Sequence, residues 1–579
     1  RSWYTALGHM ESSYSEPLFL QHILGGILFS AGIVDFDCGS TLDSNFQKEI
    51  LDDNTLDPMS LEVAPDGRVF YVQRDGAVKV FSPLDSSIDT IAKIGVTTVN
   101  EDGLLGIALD PLFESNNWVY LFYSPAGAEP KQNVSRFTFN GETLDLSSEK
   151  IILEIPTQRS QCCHSGGSLA FGPDGNLFIS TGDNSNPFES DGFAPIDERP
   201  ERSQWDAQKS ASNTNDLRGK ILRIKPQDDG TYTIPEGNLF QNGDSLTKPE
   251  IFVMGCRNPF RISIDSMNGW LYWGEVGPDA QNDNPLRGPK GYDEWNQARA
   301  SGNFGWPYCI ADNKSYVDYN FETGESGSMF DCNNPLNDSH NNTGSLELPA
   351  AKPAWIWYPY GQSIEFPEIT AGSGRTAMAG PVYHFKSDLN SEVKLPEYYD
   401  NTLFIYEWSR NWIKEVKLDS AGNILKINPF LDKLDFIRPM EMEMGPDGAI
   451  YMLEWGSNFG GENSDSRLSR IIYKKNSVPV SAEENKNPKP AGGFYLGQNF
   501  PNPFNPKTKI RFGLTVTSEV DLSIYDLMGR KISTIISKTL PAGSYEAEWD
   551  GSSFSSGIYF YRIKTDKGFI QSKKLILLK

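Results

Sequence analysis

Pro173-Asp-Gly-Asn-Leu-Phe-Ile-Ser180 is the stretch that decides the fold, because it joins a tight turn directly to a strand. Pro and Gly set the turn dihedrals, and the apolar run that follows is typical of a buried strand. The unit recurs, in a looser form in the last case, as Pro65-Asp-Gly-Arg-Val-Phe-Tyr-Val72, Pro446-Asp-Gly-Ala-Ile-Tyr-Met-Leu453 and Ser266-Met-Asn-Gly-Trp-Leu-Tyr-Trp273.

The repeats run through residues 55–473, and repeats of this kind predict blades stacked around a central axis. Residues 279–378, rich in Asn, Gly and Pro, are interpreted as a long loop insertion. The remainder, at about 50 residues per blade, predicts six blades. Because long loops on a rigid β scaffold carry binding sites, we predict an all-β, six-bladed β-propeller with a small-molecule site on one loop face.

The two ends of the chain differ in composition from this repeat region. Residues 476–492 form a polar, Pro-rich linker, and the short strands predicted in residues 493–579 indicate a small β-sandwich. Residues 1–36 contain an apolar stretch at helical spacing, which predicts a helix. No stretch predicts a transmembrane segment, and because the chain starts at Arg1 we expect its signal peptide to be missing.

The charge of the chain excludes one class of partner. Asp and Glu number 76 against 52 Lys and Arg, which gives a formal net charge of −24. Nucleic-acid binding needs clustered basic residues, so we predict no nucleic-acid partner. The acidity serves solubility, and a smaller part of it suits divalent cations, which bind carboxylate and carbonyl oxygens.

Histidine is scarce, and one of the five lies in a glycine-rich loop. His164 is part of Cys162-Cys-His-Ser-Gly-Gly-Ser168, just before a Pro-Asp-Gly turn. A loop histidine, with an ordinary pKa of about 6.5, is the natural general base near neutral pH. The alternative is a turn histidine that only holds a hydrogen bond. For His384, which alternates with apolar neighbours, we predict a structural role.

Three further segments carry polar groups that suit a site. An Arg on a turn before a strand can stabilise a developing oxyanion, and consecutive carbonyls next to acidic side chains suit Ca²⁺. A surface salt bridge, an ordinary turn and solvated acids are the alternative interpretations. The segments are Gly255-Cys-Arg-Asn-Pro-Phe260, Gly274-Glu-Val-Gly-Pro-Asp279, and Asp293-Glu294 followed by Asn303-Phe-Gly-Trp-Pro-Tyr308.

Six cysteines are present: Cys38, Cys162, Cys163, Cys256, Cys309 and Cys332. Cys162 and Cys163 directly precede His164, so their bonding state sets the backbone from which that side chain projects. Adjacent thiols can close a vicinal disulfide in an oxidising compartment. Buried free thiols, or separate bridges to Cys38 and Cys256, are the open alternatives. The last two cysteines bracket a polar loop and are the predicted loop-closing pair.

Together these segments resemble the glucose/sorbosone dehydrogenase family over residues 55–473. The resemblance implies a six-bladed propeller that binds pyrroloquinoline quinone (PQQ) with Ca²⁺ and oxidises sugars. The motifs are Glu101-Asp-Gly-Leu-Leu-Gly-Ile-Ala-Leu-Asp-Pro111, His164-Ser-Gly-Gly167, Leu169-Ala-Phe-Gly-Pro-Asp-Gly175, Leu217-Arg-Gly-Lys-Ile-Leu-Arg-Ile224, Arg257-Asn-Pro259, Gly277-Pro278 and Asn303-Phe-Gly-Trp-Pro307.

The resemblance also implies roles for individual residues. His164 resembles the base that takes the sugar hydroxyl proton, and Asp183 could orient it. Arg257 would stabilise the reduced quinone oxygen, and Asn258 would contact the cofactor. The metal ligands implied by the resemblance are the carbonyls of Gly277 and Pro278 for the ion at the quinone, and Asp293 and Glu294 as the acidic pair of a second, structural Ca²⁺ site.

The chain departs from the family at several cofactor positions. Glu101 stands where glucose-oxidising members carry Gln. A cofactor-binding Lys is replaced by Ser409, with Arg410 next to it. Of two late arginines only Arg438 is kept, because Phe436 fills the other position. The cofactor-binding residues implied are therefore Glu101, Asn258, Arg410 and Arg438.

Both ends resemble further modules. Residues 1–36 look like the tail of a ThuA-like domain, a helical remnant of an α/β fold. Residues 493–579, with Gln498-Asn-Phe-Pro-Asn-Pro-Phe-Asn-Pro506 and Tyr525-Asp-Leu-Met-Gly-Arg530, look like the sorting domain of type IX secretion. This second resemblance implies export across the outer membrane by the type IX machinery, to the cell surface or the medium.

The first hypothesis is therefore an exported oxidoreductase that uses PQQ and Ca²⁺ on a sugar or a sugar-like alcohol. The replaced cations favour an alternative, a non-catalytic propeller that binds carbohydrate or protein, whereas His164 and Arg257 favour catalysis. A polysaccharide hydrolase or lyase is a third possibility, which requires a pair of catalytic carboxylates.

Overall fold

The computed structural model describes residues 45–474 and 494–578, except residues 498, 500, 501, 503, 527 and 528. The predicted helix and the ThuA-like segment at 1–36, and the linker at 476–492, lie outside the described residues. The chain divides into two compact units with a boundary between residues 479 and 480, and each unit is described by itself. In the described parts, no helix has the length and apolar character needed to cross a bilayer.

Six antiparallel blades, each built on four strands, form the first unit and confirm the predicted six-bladed propeller. The first strands of successive blades contact one another and surround the axis. Blades 1 to 3 contain, in order, Pro58–Val63, Val69–Gln73, Ala77–Phe81 and Ile88–Lys93; Leu104–Leu109, Trp118–Tyr123, Lys131–Phe139 and Leu144–Pro156; Leu169–Phe171, Leu177–Thr181, Lys220–Pro226 and Ile251–Met254.

Blades 4 to 6 follow the same plan. They contain Pro259–Ile264, Leu271–Glu275, Asp293–Ala298 and Ile356–Tyr358; Ala377–Tyr383, Thr402–Glu407, Trp412–Leu418 and Ile424–Phe430; Pro439–Met444, Ile450–Glu454, Arg467–Tyr473 and Phe46–Asp52. The last strand comes from the beginning of the unit and pairs antiparallel with Arg467–Tyr473. The propeller therefore starts before residue 55, the predicted boundary, and this strand closes the ring.

The Pro-Asp-Gly turns form because each residue has a defined task. Gly67, Gly175 and Gly448 adopt φ values of +87°, +75° and +75°, a region that favours glycine. The aspartate before each glycine accepts a hydrogen bond from the backbone N–H two residues later, for example Asp66 from Arg68 at 3.1 Å. The turn thus delivers the next residues into a strand whose side chains are buried between blades.

The predicted loop insertion at 279–378 is wrong in part. Asp293–Ala298 and Ile356–Tyr358 are the third and fourth strands of blade 4, and the first strand of blade 5 starts at Ala377. The sequence of the first of these strands, Asp-Glu-Trp-Asn-Gln-Ala, is hard to recognise as a strand. Its polar side chains occupy buried positions, because they line the site. Residues between these strands form short pieces: Gly302–Asn303, Cys309–Ile310, Lys314–Ser315, Val317–Tyr319 and Ser326–Met329.

Helical structure is limited to single turns in the described residues. The α-helical turn is Phe113–Asn116, the 3-10 turns are Ser203–Trp205, Ala207–Lys209 and Glu397–Tyr399, and the remaining short strand is Tyr232–Thr233. Backbone hydrogen bonding in this unit is therefore provided mainly by the blades.

The second unit is the predicted β-sandwich. One sheet orders Tyr495–Leu496, Lys507–Leu514 and Gly543–Asp550, and the other orders Lys531–Leu540, Ser518–Tyr525, Gly557–Thr565 and Ile570–Leu577. Alternating side chains from both sheets, among them Phe512, Leu522 and Tyr561, form one buried core. Burial of each such side chain contributes about 1.5–3 kcal/mol.

Candidate active site

The blades bring the predicted site residues to one loop face. Neighbouring strands of a blade are antiparallel, so the turn before the first strand lies beside the end of the second. His164 precedes the first strand of blade 3, and Asp183 follows the second. Arg257 precedes the first strand of blade 4, and Gly277 follows the second. The strand order alone therefore places these four residues at the same end of adjacent blades.

His164 and Asp183 form a buried pair. Nδ1 of His164 lies 2.7 Å from Oδ1 of Asp183, and the two side chains are 4% and 0% exposed. The indole N–H of Trp306 donates to Oδ2 of Asp183 at 2.8 Å, and the backbone N–H of Ser185 donates to Oδ1 at 2.9 Å. A carboxylate on Nδ1 keeps the proton there, so Nε2 retains the lone pair that a general base needs.

Glu101 holds the loop that carries His164. Its Oε2 accepts the backbone N–H of His164 at 2.7 Å and that of Ser165 at 3.1 Å. The backbone N–H of Gly166 donates to Oδ1 of Asn258 at 3.0 Å. Residues from blades 2 and 4 thus fix the loop of blade 3. The structure places Glu101 as an anchor of the backbone beside the site, with one oxygen already used.

The backbone of Arg257 and Asn258 is held by the carboxylate of Glu275, a residue that the sequence interpretation missed. Oε1 of Glu275 accepts the backbone N–H groups of both residues, and Oε2 accepts the indole N–H of Trp273 at 3.2 Å. Nη1 of Arg257 donates to the carbonyl of Val276 at 2.8 Å, and the residue is 4% exposed. Arg257 is therefore a buried cation in a fixed loop.

Glu275 is one of three glutamates that make the same contact in successive blades. Glu275, Glu407 and Glu454 each end the second strand of their blade and accept a backbone N–H from the turn before the first strand. Burial raises the pKa of Glu275 and of Glu407 to about 8. The signal was present in the sequence as a glutamate at the end of each of these strands, in Trp-Gly-Glu, Ile-Tyr-Glu and Met-Leu-Glu.

Arg375 is a second buried cation that sequence interpretation missed. Its side chain is 1% exposed, and its Nη2 donates to the carbonyl of Pro278 at 2.6 Å. Nη1 lies 3.2 Å from Oδ1 of Asp293, which also accepts the backbone N–H of Gly277 at 3.0 Å. Arg375 lies two residues before the first strand of blade 5, as Arg257 does in blade 4, and this shared position was the available signal.

Asp293 and Glu294 do not act as one pair. They are consecutive in a strand, so their side chains point to opposite faces. Asp293 contacts Arg375, whereas Glu294 lies directly across the ladder from Glu275. Burial raises the pKa of Asp293, which Arg375 opposes, and burial raises the pKa of Glu294 to about 7.

A small cavity of about 10 Å³, with room for about one water-sized sphere, is lined in part by Glu275, Glu294 and Asn296. Nδ2 of Asn296 donates to Oε2 of Glu294 at 3.0 Å. Oδ1 of Asn296 is buried and has no hydrogen-bond partner among the described residues. Three side chains with oxygen atoms thus line this cavity, and Oδ1 of Asn296 is the one without a partner in the described part of the chain.

Arg410 and Arg438 are used by the protein backbone. Nε of Arg410 donates to the carbonyl of Gly374 at 2.8 Å and Nη2 to that of Pro359 at 3.1 Å. Nη1 of Arg438 donates to the carbonyl of Gly456 at 2.9 Å. Both therefore stabilise loops on this face. No hydrogen bond or ion pair found within the described ranges connects either guanidinium to His164.

Two disulfides are formed among the described cysteines, Cys162–Cys163 and Cys309–Cys332, and Cys256 is free and buried. The predicted loop-closing pair is confirmed, and of the alternatives for the adjacent cysteines the structure has the vicinal bond. The carboxylate of Glu101 lies close to both vicinal sulfur atoms. Since these sulfurs are bonded to each other, they are not available as thiolate ligands for a metal.

Comparison with known proteins finds a matching family model in each of the two units. Residues 55–340 match the family model of glucose/sorbosone dehydrogenase, and residues 498–578 match that of the secretion system C-terminal sorting domain. An uncharacterized protein from Synechocystis is 30% identical over 271 residues, which are 45% of this chain and 58% of that protein. Quinoprotein glucose dehydrogenase B from Acinetobacter calcoaceticus is 25% identical over 403 residues, 65% of this chain and 78% of the relative.

The fold also has a counterpart among solved structures. An oxidoreductase from Thermus thermophilus, described as a glucose dehydrogenase, superposes with a TM-score of 0.50 at 23% identity, covering 74% of this chain and 99% of that one. At this identity the likeness supports the propeller fold alone. The chain therefore carries a domain of the glucose/sorbosone dehydrogenase family over residues 55–340 and a secretion system C-terminal sorting domain over residues 498–578.

Proposed function

We propose that the propeller is an exported quinoprotein dehydrogenase that oxidises a sugar or a sugar-like alcohol, with PQQ as its cofactor. The observation that carries the proposal is the buried His164–Asp183 pair on the loop face, with two buried arginines, Arg257 and Arg375, on the same face. The glucose/sorbosone dehydrogenase match over residues 55–340 supports the class of reaction.

The donors on this face fit an acidic quinone. PQQ carries three carboxylates, and a buried polycarboxylate needs cations with unused N–H groups. Nε and Nη1 of Arg375 are buried without a well-directed hydrogen bond to any described acceptor. Arg257, Arg375 and Asn258 would hold the cofactor. Arg410 and Arg438 would add charge but few free donors, because their N–H groups already bind carbonyls.

The family resemblance implies two Ca²⁺ positions, one at the Gly277 and Pro278 carbonyls and one structural. The residues present suit an ion at the structural position and not at the carbonyls. The carbonyl of Pro278 already accepts a hydrogen bond from a guanidinium, so it is a poor ligand for a cation. Glu294 and Asn296 instead offer oxygen ligands on one small cavity, and such oxygens suit Ca²⁺, whereas both oxygens of Glu275 already accept N–H groups. We propose this second position for a structural ion, with Glu294 as its acidic ligand and Asp293 paired to Arg375.

The chain's own groups carry the proton chemistry. Nε2 of His164 would accept the proton of the sugar hydroxyl while Asp183 stabilises the resulting imidazolium, and this type of base catalysis contributes about 10²–10⁴-fold. When bound, PQQ supplies the oxidant that accepts the hydride from the sugar carbon. Arg257, held rigidly by Glu275, stabilises negative charge that develops on an oxygen beside it.

Export is the proposed role of the second unit. The sorting-domain match over residues 498–578 supports delivery by type IX secretion to the cell surface or the medium. The sandwich has its own buried core, so it can act as an address while the propeller carries the site.

The test compares two histidines that each contact a carboxylate. The full-length protein is loaded with PQQ in excess Ca²⁺ and assayed on a panel of aldoses with an artificial electron acceptor. His164→Gln should lower kcat by about 10²-fold or more while PQQ still binds. His384→Gln is the matched control, because Nε2 of His384 lies 2.6 Å from Asp265 at the opposite end of a first strand. Absence of PQQ binding by calorimetry in excess Ca²⁺ contradicts the proposal.

A non-catalytic propeller that binds carbohydrate or protein is the second candidate. Ser409 and Phe436 supply no charge where the family resemblance implies cations, and this observation favours it. Saturable glycan binding by a protein that takes up no PQQ would support this candidate over the dehydrogenase.

A further inference from the structure

Arg375 occupies a place where a metal would otherwise be expected. Its Nη2 lies 2.6 Å from the carbonyl oxygen of Pro278, and its Nη1 lies 3.2 Å from Oδ1 of Asp293. A carbonyl and a buried carboxylate are the ligands that Ca²⁺ prefers. Here both already face a guanidinium, whose positive charge repels a second cation at the same oxygen atoms.

The same guanidinium also lies near an exposed carboxylate, that of Asp279. Nη2 of Arg375 lies 3.9 Å from Oδ1 of Asp279, and Nη2 of Arg257 lies 3.9 Å from Oδ2 of the same carboxylate. The two arginine side chains are 1% and 5% exposed, whereas Asp279 is 57% exposed. A single accessible carboxylate therefore lies between two buried cations, at distances too long for a hydrogen bond to either.

The Arg375 guanidinium has unused capacity for an anion. Its Nε has no hydrogen bond to any described acceptor, and its Nη1 lies 3.2 Å from Oδ1 of Asp293 without the geometry of a hydrogen bond. The aromatic ring of Tyr360 packs 4.0 Å from the guanidinium carbon, and its hydroxyl donates to Oδ1 of Asp279 at 3.0 Å. Tyr360 thus holds Asp279 on the solvent side, and a carboxylate that enters closer to the arginines would gain charge-assisted hydrogen bonds.

We propose that Arg375 replaces a metal ion at the Pro278 carbonyl, and that Arg375 and Arg257 together form a metal-independent binding site for a carboxylate group. The identification of that carboxylate as one of the three on PQQ rests on the proposed function. Asp279 is then the competitor that the ligand displaces, and calcium is not needed for the ligand to bind.

The first experiment measures PQQ binding to the full-length protein by calorimetry, in excess calcium and in a calcium chelator. The wild type should bind equally under both conditions. Arg375→Gln should weaken binding about 10- to 100-fold in the chelator, and added calcium should restore part of the loss because the position at Pro278 is then open. Asp279→Asn should tighten binding, since it removes the competing charge.

Two controls keep loss of folding apart from loss of the site. Arg287→Gln also removes a buried arginine paired with an exposed aspartate, Asp191 at 2.9 Å, and should leave PQQ binding unchanged. Arg375→Gln leaves Asp293 without its partner, so it is compared with the double variant Arg375→Gln/Asp293→Asn, which removes both charges. If the double variant is folded and binds PQQ in the chelator as the wild type does, the inference is wrong.

The outcomes separate this inference from the proposed function. If the wild type binds PQQ only with calcium, the inference is wrong and the proposed dehydrogenase stands. If PQQ binds under neither condition, the dehydrogenase proposal fails, and benzene-1,2,4-tricarboxylate then tests the carboxylate site. It should raise Tm of the wild type and not of Arg375→Gln, and no shift in the wild type overturns the inference. An anomalous terbium peak at the Pro278 carbonyl in wild-type crystals also overturns it.

Discussion

At the scale of single residues, Asp183 decides what His164 can do. The carboxylate receives the imidazole N–H, the Trp306 indole N–H and a backbone N–H, so its position and its negative charge are both fixed. A carboxylate in this place selects the tautomer with a free Nε2 and stabilises the ring once it is protonated. In the proposed mechanism, the basicity of His164 therefore depends on Asp183, whose side chain is fully buried.

Asp183→Asn should lower kcat by about 10²–10⁴-fold with little change in KM for the sugar. The neutral amide can offer an N–H to Nδ1, which favours the tautomer that blocks Nε2. The measurement is the pH profile of kcat in the PQQ-loaded protein, which should lose the limb that reports the base. A profile and a rate that match the wild type would show that Asp183 only supports the fold.

At the scale of elements, Glu454 connects the closing strand of the propeller to the site face. It accepts the backbone N–H of Ile437 at 2.8 Å, and its carboxylate lies 2.5 Å from Nζ of Lys48 and 3.0 Å from Nε of Arg467. Lys48 lies on the strand Phe46–Asp52, which completes blade 6. The same repeated glutamate that fixes a turn here also links the first and last strands of the ring.

Glu454→Ala should destabilise the propeller by about 3–5 kcal/mol, because it leaves two cations and a backbone N–H without their buried partner. Denaturant unfolding followed by tryptophan fluorescence measures the change. Glu49→Ala is the matched control on the same strand. Its ion pair with Arg470 is long, 3.7 Å, and partly exposed, so its removal should cost about 0–1 kcal/mol. Equal losses for the two variants would contradict the assigned role of Glu454.

At the scale of the whole molecule, the axis of the propeller concentrates acidic groups. Glu62 lies on the first strand of blade 1, and Glu441 and Glu443 lie on the first strand of blade 6. Burial, followed by repulsion from Glu441, raises the pKa of Glu62 to about 8, and burial raises the pKa of Glu441 to about 7. Arg261, whose Nε is 2.9 Å from Glu441, is the cation that faces this group.

This arrangement predicts a dependence of stability on pH with a definite sign. The pKa of Glu62 is higher in the fold than the ordinary value of 4.5. The contribution of Glu62 to the free energy of unfolding is therefore fully present below pH 4.5, and it is lost as the pH rises through about 8. Glu62→Gln should raise Tm at about pH 9 and leave it nearly unchanged at about pH 5. The exposed Glu142→Gln should show no such difference, and a parallel response of both variants would contradict the prediction.

We predict that the two units have separate tasks, ligand binding in the propeller and export in the sandwich. Each has its own buried core, and the boundary falls between residues 479 and 480. Removal of residues 480–579 should leave Tm and PQQ affinity of the propeller unchanged and should abolish export from a type IX-secreting host. Calorimetry on the truncated protein and immunodetection of the secreted fraction give the two readouts. A marked fall in Tm would show that the propeller depends on the sandwich.

The sequence alone determined the parts of this protein that depend on local order. Pro-Asp-Gly turns followed by alternating strands specify blades, because each turn residue and each strand residue acts on its immediate neighbours. The same local reasoning selected His164 and Arg257 as candidates, since strand ends and the turns beside them carry a recognisable pattern, and the family resemblance added Asp183. It also found the Cys309–Cys332 pair around a polar loop.

Only the tertiary structure decided which of these groups meet. The strand Phe46–Asp52 pairs with a segment more than 400 residues away, and no local pattern marks that contact. Asp293 and Glu294 look like a pair in the sequence, yet the pleat sends one to Arg375 and the other to Glu275. Arg375, from the next blade, reaches the Pro278 carbonyl. The charge and the burial around the Pro278 carbonyl depend on neighbours from separate blades, and only the closed ring brings these together.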